Sequence, residues 1–418
     1  MIIERKVYLQ QVIDAKGNGL IKVITGIRRC GKSFLLSVLF RNHLLESGVS
    51  DDQIIFVALD DIRNKPFLDP LKLLDYITGK ITDRRQYYVI LDEVQMVSDF
   101  VGVLNGLLHI PNVDTYVTGS NSRFLSKDVA TEFRGRGFDI HLYPLSFAEY
   151  YSAVGGDISF ALRDYYSFGG LPQLLNIKGE AAKLDYLKNL VSTVFIADVV
   201  ERHRIKNEPE FIELMRIISS SIGAACNPNK LSKTFKSVKN ITISHNTIAR
   251  YLQYLCDAFL IEPAIRYDIK GKKYINTLSK YYFTDMGLRN ALLNLRQYEE
   301  THIMENVIYN ELRMRGFSVD VGMIESFEKD SLGKPIRKQY EVDFVANRGN
   351  NRYYIQAAYF IGSEEKMQQE TASIKRINDS FKKILILANN IMPHRNDDGF
   401  LIVGLYDFLL KPEVIEQD

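Results

Sequence analysis

Eight consecutive residues near the N-terminus have the composition of a phosphate-binding loop. The run 26–33 reads GIRRCGKS and fits the pattern GxxxxGK[ST] at every position. It follows the strand-like run LIKVIT and opens the helix-like run SFLLSVLFRNHLL. Glycines in such a loop let backbone N–H groups approach phosphate oxygens, and the start of a helix adds favourable positive charge. The pattern therefore predicts a nucleoside triphosphate site of the P-loop type.

Two side chains of this loop are predicted to act on the triphosphate directly. Lys32 would reach the β- and γ-phosphates, and the hydroxyl of Ser33 would bind Mg²⁺. The thiol of Cys30 lies at a variable position of the pattern and is interpreted as a bystander. The predicted nucleotide-binding residues are Gly26, Ile27, Arg28, Arg29, Cys30, Gly31, Lys32, Ser33 and Phe34.

A second run, YYVILDE at 87–93, ends in two acids after a strongly apolar stretch. If this stretch is a central strand, Asp92 lies beside the phosphate loop and holds Mg²⁺. Glu93 is then placed to polarise a water molecule for attack on the γ-phosphate. Taken alone, the two acids could merely cap a strand and begin a turn. The preceding phosphate loop favours the catalytic interpretation.

Two further candidates come from polar residues that follow later strand-like runs. The run TYVTGS ends near Ser120 and Asn121, one of which could hydrogen-bond the γ-phosphate or the attacking water. A plain polar loop is the alternative. Downstream, Arg134 and Arg136 stand between glycines, and one of them could reach a nucleotide on a neighbouring subunit. A solvated loop is again the alternative.

Composition limits the class of protein. The chain has 418 residues, of which 46% are hydrophobic and 25% charged, which is typical of a soluble globular protein with two to four domains. A net charge of +2 gives no global attraction to nucleic acid. The three cysteines, Cys30, Cys226 and Cys256, fit neither a disulfide framework nor a zinc site. Without a signal peptide or an apolar run of about 18 residues, we expect a cytoplasmic protein that does not enter a membrane.

The pattern of apolar runs predicts four parts. Short β-branched or aromatic runs alternate with longer segments up to about residue 144, which indicates an α/β domain with a parallel sheet. We predict an ATPase-like domain at 1–150, a helical lid or linker at 151–207, a third domain at 208–285 and a last α/β domain at 286–418. The run FGGLP at 168–172 marks a turn within the helical part.

Taken together, the motifs resemble the AAA-like bacterial and archaeal ATPases whose C-terminal half is the domain of unknown function DUF4143. The resemblance rests on GIRRCGKS, VILDEVQ, VTGSNS, FRGRG, YPLSFAEY, FGGLPQLL and EVDFVA with YYIQAAY, in that order. It implies an additional-strand P-loop NTPase with the sheet order 5-1-4-3-2. It also implies that the nucleotide is ATP and that both Asp92 and Glu93 carry function.

Residues 228–283 look like a winged helix. Lys230–Phe235 would form the first helix, and Ser244 would cap a second helix over His245–Asp257. Two strand-like runs follow, joined by the basic turn DIKGKK at 268–273. The second helix could enter a DNA major groove while the lysines contact phosphates. Alternatively, the module packs against the ATPase domain or a protein partner.

The end of the chain resembles the core of restriction endonucleases, PD-(D/E)xK. Asp343 matches the first acid, and Glu305 could be the upstream helical acid. The next strand offers the neutral Gln356 where a carboxylate is needed, and Ala358 where a lysine is needed. Because a metal ligand and a cation are both missing, we expect this domain to be inactive in cleavage.

These features favour a magnesium-dependent ATPase that acts as a nucleotide-driven switch. The alternative is a DNA-binding regulator that senses ATP, and a metal-dependent nuclease is a third hypothesis. A protein partner and an oligomeric state are compatible with the sequence, which identifies neither.

Overall fold

The structure of the chain is a computed structural model that describes residues 2–119, 135–239, 241–329, 335–359 and 364–416. The chain divides into two compact units. The first comprises 1–144 with the short segments 171–173 and 257–259, and the second comprises 145–170, 174–256 and 260–418.

Within the described part of the first unit, five strands form one parallel sheet. They are β1 (Ile21–Thr25), β2 (Ile54–Ala58), β3 (Tyr87–Asp92), β4 (Val113–Thr118) and β5 (Gly137–His141). Their order in the sheet is β2-β3-β4-β1-β5, which confirms the predicted order 5-1-4-3-2 read from the other edge. All residues of β1 and β3 are buried, as expected for central strands that are covered on both faces.

Helices connect these strands, and their ends follow from local sequence. The helices are α1 (Lys6–Asp14), α2 (Lys32–Phe34, continuing through the π-helical Leu35–Phe40 into Arg41–Glu46), α3 (Pro70–Lys80) and α4 (Phe100–Leu108). Asp69 caps α3 by accepting hydrogen bonds from the N–H groups of Leu71 and Lys72. Short 3₁₀ turns cover Asp51–Gln53, Ile62–Leu68 and Val94–Met96.

The sheet register brings the ends of three strands to one edge. Strands β1 and β3 both pair with β4 in parallel, so that Thr118 lies opposite Ile24 and Val117 lies opposite Leu91. The residues that follow β1, β3 and β4 are consequently neighbours at the carboxyl edge of the sheet. In open parallel sheets, this edge is where ligands bind.

The second unit begins with helices and continues into a large mixed sheet. Its helices are α5 (Phe147–Val154), α6 (Ile158–Phe168), α7 (Glu180–Leu190, continuing through the π-helical Val191–Ile196 into Ala197–His203), α8 (Glu208–Ser220), α9 (Pro228–Lys239), α10 (His245–Asp257), α11 (Met286–Leu292), α12 (Glu300–Met314), α13 (Glu364–Lys375) and α14 (Leu405–Leu410). A short 3₁₀ turn covers Pro412–Ile415, and another, Pro172–Asn176, begins in the segment 171–173 of the first unit and ends in the second. No helix in the described ranges is long and apolar enough to cross a bilayer.

Nine strands of the described residues form the second sheet. They are β6 (Ala225–Cys226), β7 (Ile261–Asp268), β8 (Lys273–Phe283), β9 (Ser318–Lys329), β10 (Pro335–Arg348), β11 (Asn351–Ala358), β12 (Lys382–Leu387), β13 (His394–Arg395) and β14 (Leu401–Gly404). Their order in the sheet is β13-β14-β12-β11-β10-β9-β7-β8-β6. Because β7 pairs with β9 in parallel, the sheet is continuous across residue 285, where we predicted a domain boundary.

A buried carboxylate explains why the run FGGLP contains two glycines. Asp285 accepts hydrogen bonds from the N–H of Gly170 at 2.8 Å and from the N–H of Leu288 at 3.1 Å. Gly169 has a φ of 78°, and a Cβ there would lie 2.2 Å from a carboxylate oxygen of Asp285. Burial raises the pKa of Asp285 to about 6, although the backbone N–H bonds lower it. This glycine turn, residues 168–172, is therefore fixed to the start of α11.

We predict that Gly287→Ala destabilises the protein. A Cβ at Gly287 would lie 1.9 Å from the carbonyl oxygen of Phe168, so that α11 would have to move away from the glycine turn. Such overpacking costs about 1–3 kcal/mol. Gly79→Ala is the matched control, since Gly79 is also helical and its Cβ would meet open space. Urea denaturation of both variants measures the difference, and equal midpoints would contradict the assigned packing.

Candidate nucleotide-binding site

The loop between β1 and α2 has a backbone that needs its glycines. Gly26, Arg29 and Gly31 have φ angles of 140°, 68° and 102°. A Cβ at Gly26 would lie 2.1 Å from the carbonyl oxygen of Leu142, so no larger residue fits there. Gly31 directly precedes α2, as a loop that aims a helix N-terminus at a phosphate requires.

Lys32 is buried at the first turn of α2 and points back over the loop. Its ammonium donates hydrogen bonds to the carbonyl oxygens of Gly26 at 2.9 Å and Ile27 at 3.1 Å. Neutral carbonyl oxygens compensate an ammonium less well than anionic oxygens do. A phosphate group bound in the loop would therefore be a favourable partner for this charge.

Four residues form a connected set of hydrogen bonds at the carboxyl edge of the sheet. The Ser33 hydroxyl donates to Oδ1 of Asp92 at 2.9 Å, and the Thr118 hydroxyl donates to the same oxygen at 2.5 Å. Oγ1 of Thr118 also accepts the backbone N–H of Glu93 at 2.9 Å. The loop, the end of β3 and the end of β4 are thus tied together by side chains.

The electrostatics of this set suit a cation. Burial raises the pKa of the Asp92 carboxyl, the hydrogen bonds from Thr118 and Ser33 lower it, and the nearby charges of Glu93 and Asp60 raise it further. A buried carboxylate with acidic neighbours is stabilised when a positive charge binds beside it. Hydroxyl and carboxylate oxygens are also the ligands that Mg²⁺ prefers. Ser33 and Asp92 therefore fit the predicted magnesium site.

Glu93 begins a tight turn after β3. Its φ of 55° lies in the left-handed region, which is uncommon for a residue with a side chain. The carboxylate is half-buried and accepts a hydrogen bond from the side-chain amide of Gln95. Such unusual backbone geometry is often found at functional sites.

The other predicted residues of the loop differ in exposure. Ile27 and Cys30 are buried, Arg28 is half-buried, and Arg29 and Phe34 are exposed. The Cys30 thiol donates to the carbonyl oxygen of Leu142 at 3.3 Å, and burial raises its pKa. Cys30 thus helps to hold the end of β5 against the loop.

The candidates downstream of β4 are only partly described. Ser120, Asn121 and Arg134 lie outside the described residues, so their predicted roles stay predictions. Arg136 is described, and its guanidinium donates to Oδ1 of Asn105 at 2.8 Å. Its predicted action on a neighbouring subunit also stays a prediction.

Sequence reasoning missed Thr118. We expected the polar contribution of the TYVTGS run to come from Ser120 or Asn121, whereas Thr118 makes two hydrogen bonds to the acidic pair. A usable signal existed, because the predicted sheet order places β4 between β1 and β3. The last side chain of β4 then faces the acids that end β3.

A second charged cluster lies in the second unit. The ammonium of Lys280 is 2.9 Å from Oε1 of Glu305 and 2.8 Å from Oε1 of Glu341. Burial lowers the pKa of Lys280, but the charges of Glu305, Asp343 and Glu341 raise it above its ordinary value overall. The hydroxyl of Tyr282 donates to the same oxygen of Glu305 at 2.6 Å. A lysine of β8 is thus ion-paired with two of these three acids.

The residues expected from the endonuclease resemblance do come together. Asp343 accepts the N–H of Ala357 at 2.9 Å and donates its own N–H to the Gln356 side chain at 3.4 Å. Burial raises the pKa of Asp343, as does the charge of Glu305. Within the described ranges, no group of three or more His, Cys, Asp or Glu side chains is arranged to hold a metal ion. The resemblance to nucleases stays a prediction.

Comparisons with known proteins support the prediction that the first unit is an AAA-like domain. Residues 18–151 match the AAA domain family, and residues 159–299 match a domain of unknown function, DUF8612. The second match takes the place of the DUF4143 assignment that we expected. The sheet, the loop and the AAA match define the first unit as a P-loop ATPase domain that binds nucleotide.

Two relatives match along nearly their full length. An uncharacterized protein of Haemophilus influenzae is 32% identical over 416 residues, which cover 98% of this chain and 99% of that protein. An uncharacterized protein of Methanocaldococcus jannaschii is 31% identical over 415 residues, which cover 95% and 86%. The chain belongs to the family of these proteins. Among solved structures, the Walker-type ATPase of Pyrococcus abyssi is similar, with a TM-score of 0.49 and 15% identity over 70% of this chain and 96% of that one.

We predict that Thr118→Val weakens magnesium-dependent nucleotide binding by about tenfold. The change removes the hydrogen bonds to Asp92 and Glu93 while it keeps the shape of the side chain, at a cost of about 1–2 kcal/mol. Binding measured in EDTA should change much less. Thr115→Val, in the same strand and also buried, serves as the control. An equal loss with and without Mg²⁺ would contradict the role given to Thr118.

We also predict that Lys280→Met destabilises the second unit by about 3–5 kcal/mol, because it leaves buried carboxylates without a counter-ion. The double variant Lys280→Met/Glu305→Gln should recover part of this loss, since it removes one of those charges. Lys411→Met is the control, because Lys411 forms an ion pair on the surface and should contribute less than about 0.5 kcal/mol. Chemical denaturation gives all three values. A double variant no more stable than Lys280→Met would contradict the assigned pairing.

Proposed function

We propose that the protein hydrolyses ATP with Mg²⁺ and acts as a nucleotide-driven switch. The observation that carries this proposal is the hydrogen-bonded set of Ser33, Asp92, Thr118 and Glu93, together with the Lys32 ammonium bound to the carbonyl oxygens of the phosphate loop. A lone phosphate loop would support binding only. The connected acids at the end of β3 support hydrolysis as well.

For binding, the loop would contribute its backbone N–H groups and the Lys32 ammonium to the phosphates. The Ser33 hydroxyl and the Asp92 carboxylate would hold Mg²⁺, which when bound neutralises phosphate charge and fixes the orientation of the triphosphate. Thr118 is a positioning residue, since it contacts Asp92 and Glu93 and keeps both in place. ATP is proposed over GTP on the family resemblance.

For hydrolysis, Glu93 is the proposed general base. Its backbone is fixed through the N–H bond to Thr118, while its carboxylate contacts Gln95. A carboxylate in this place could accept a proton from an attacking water molecule. The contact with Gln95 holds the carboxylate in one orientation, and its release would let the carboxylate turn toward water.

The glycine turn supports the switch. Pro172 belongs to the first unit, and its Cγ lies 3.9 Å from the position of a Cβ on Gly31. Two residues earlier, Gly170 belongs to the second unit and is bound by Asp285. The chain is continuous between these points. A change at the phosphate loop could therefore pass along the backbone to the start of α11.

We predict that Lys32→Ala abolishes nucleotide binding and that Glu93→Gln keeps binding but lowers hydrolysis at least about a hundredfold. The first change removes the cation of the loop, and the second removes the base but not its shape. Filter binding of labelled ATP and release of labelled phosphate measure the two steps separately. A parallel competition with GTP identifies the preferred base.

Lys80→Ala and Glu46→Gln are the controls, since both residues are exposed in the same unit and outside the site. Equal turnover in wild type and Glu93→Gln would rule out the general base. The switch needs its own readout, which is hydrogen exchange of 165–175 and 284–290 in Glu93→Gln with and without ATP. Unchanged protection in both segments would rule out coupling through the glycine turn and leave the ATPase proposal intact.

A further inference from the structure

The helices α8, α9 and α10 are followed by a hairpin whose strands pair in a distinctive order. β6 lies between α8 and α9 and pairs with β8, and β8 pairs in turn with β7. Helices α9 and α10 and the hairpin of β7 and β8 lie within residues 228–283, which we predicted to form a winged helix. In that arrangement, α10 is the helix available to a DNA groove.

Helix α10 separates an apolar face from a polar one. Its buried side chains are Ile248, Tyr251, Leu252 and Leu255. The exposed side chains are His245, Asn246, Ala249, Arg250 and Gln253, and most of these can donate hydrogen bonds. Ser244 caps the helix by accepting the N–H of Thr247 at 3.1 Å, so its first turn is well defined. The polar face thus combines side chains of the kinds that hydrogen-bond to base edges with one small residue, Ala249, which allows close approach.

The sequence from the second half of α8 through α9 to the last turn of α10 contains no acids. From residue 214 to residue 256 there is no Asp or Glu, although the chain has 51 of them in 418 residues. The same segment holds six basic residues: Arg216, Lys230, Lys233, Lys236, Lys239 and Arg250. A net charge of +2 for the whole protein therefore conceals one strongly basic segment.

Three of these lysines follow one another along α9. Lys230, Lys233 and Lys236 are all exposed and recur at every third residue. The other side of α9 is held by Phe235, which is buried, and by the Ser232 hydroxyl, which donates to the carbonyl oxygen of Ile243 at 2.6 Å. Packing therefore directs the lysines outward.

We propose that α9 and α10 form an interface for double-stranded DNA. The lysines of α9 would contact backbone phosphates, and the polar face of α10 would enter the major groove with Arg250 and Asn246 toward the bases. The turn between β7 and β8 adds the exposed Lys270, Lys272 and Lys273. This inference concerns a separate surface and does not depend on ATP hydrolysis.

Double-stranded DNA fits this surface better than other polyanions. The major groove of B-DNA admits a helix, whereas that of double-stranded RNA is too deep and narrow for side chains to read. An acidic protein would satisfy the lysines but would leave the amide and guanidinium groups of α10 without base edges. The ordered combination of phosphate-binding and base-reading side chains selects duplex DNA.

The test measures binding of the full chain to a labelled random 30-base-pair duplex by fluorescence anisotropy, between about 50 and 200 mM salt, with and without ATP. We expect Lys233→Ala/Lys236→Ala to weaken binding about tenfold and to lower the slope of log affinity against log salt by about two. Alanine preserves the helix. Lys375→Ala/Lys411→Ala removes two exposed lysines elsewhere in the same unit and should change neither value by much.

Several outcomes decide the proposal. A reduced slope in the α9 variant, with nucleotide binding and circular dichroism unchanged, supports it. No binding to duplex DNA at 50 mM salt in either nucleotide state overturns it. So does equal affinity for double-stranded RNA or polyglutamate, since either would show unselective attraction of anions. An equal effect of the control pair would show that α9 is not the interface.

Discussion

The Asp92 carboxylate is the contact on which the candidate site depends. It is buried at the end of β3, and it accepts hydrogen bonds from Ser33, which follows the loop after β1, and from Thr118, the last residue of β4. Burial makes its negative charge costly, so the surrounding structure must offer donors or a cation. Ser33 and Thr118 are those donors, and they fix the phosphate loop relative to the acids. The same requirement makes the position suitable for a metal ion.

Much of the first unit could be predicted because its signals are local. The loop glycines, Lys32 and Ser33 are contiguous, and the acidic pair directly follows an apolar strand, so spacing alone located them. The parallel order of the sheet came from family resemblance. Thr118 was missed because its role depends on which strand lies between β1 and β3, whereas the predicted contacts came from Ser120 and Asn121, which follow the strand. Combining the sheet order with the last side chain of each strand would have found it.

The second unit was harder, because its organisation depends on contacts between distant segments. The helix His245–Asp257 has the bounds that periodicity predicted. The parallel pairing of β7 with β9, in contrast, joins residues more than 50 positions apart and leaves no local pattern. The endonuclease resemblance requires a lysine two residues after Gln356, and this position illustrates the same point. Ala358 stands there, while a cation reaches the acids from β8 as Lys280. A motif read along the sequence shows that a lysine is missing from its expected position. It cannot show that another strand brings a lysine to the same acids.

The distribution of charge separates two uses of basic residues in this chain. Lys280 is buried between carboxylates, where its charge is compensated and holds strands and a helix together. The lysines of α9 are exposed in a segment without acids, where each ammonium is hydrated and contributes little to stability. A row of such charges keeps the chain folded no better than neutral residues would. Its physical effect is instead to attract a polyanion, and the polar face of α10 limits which polyanion can bind closely.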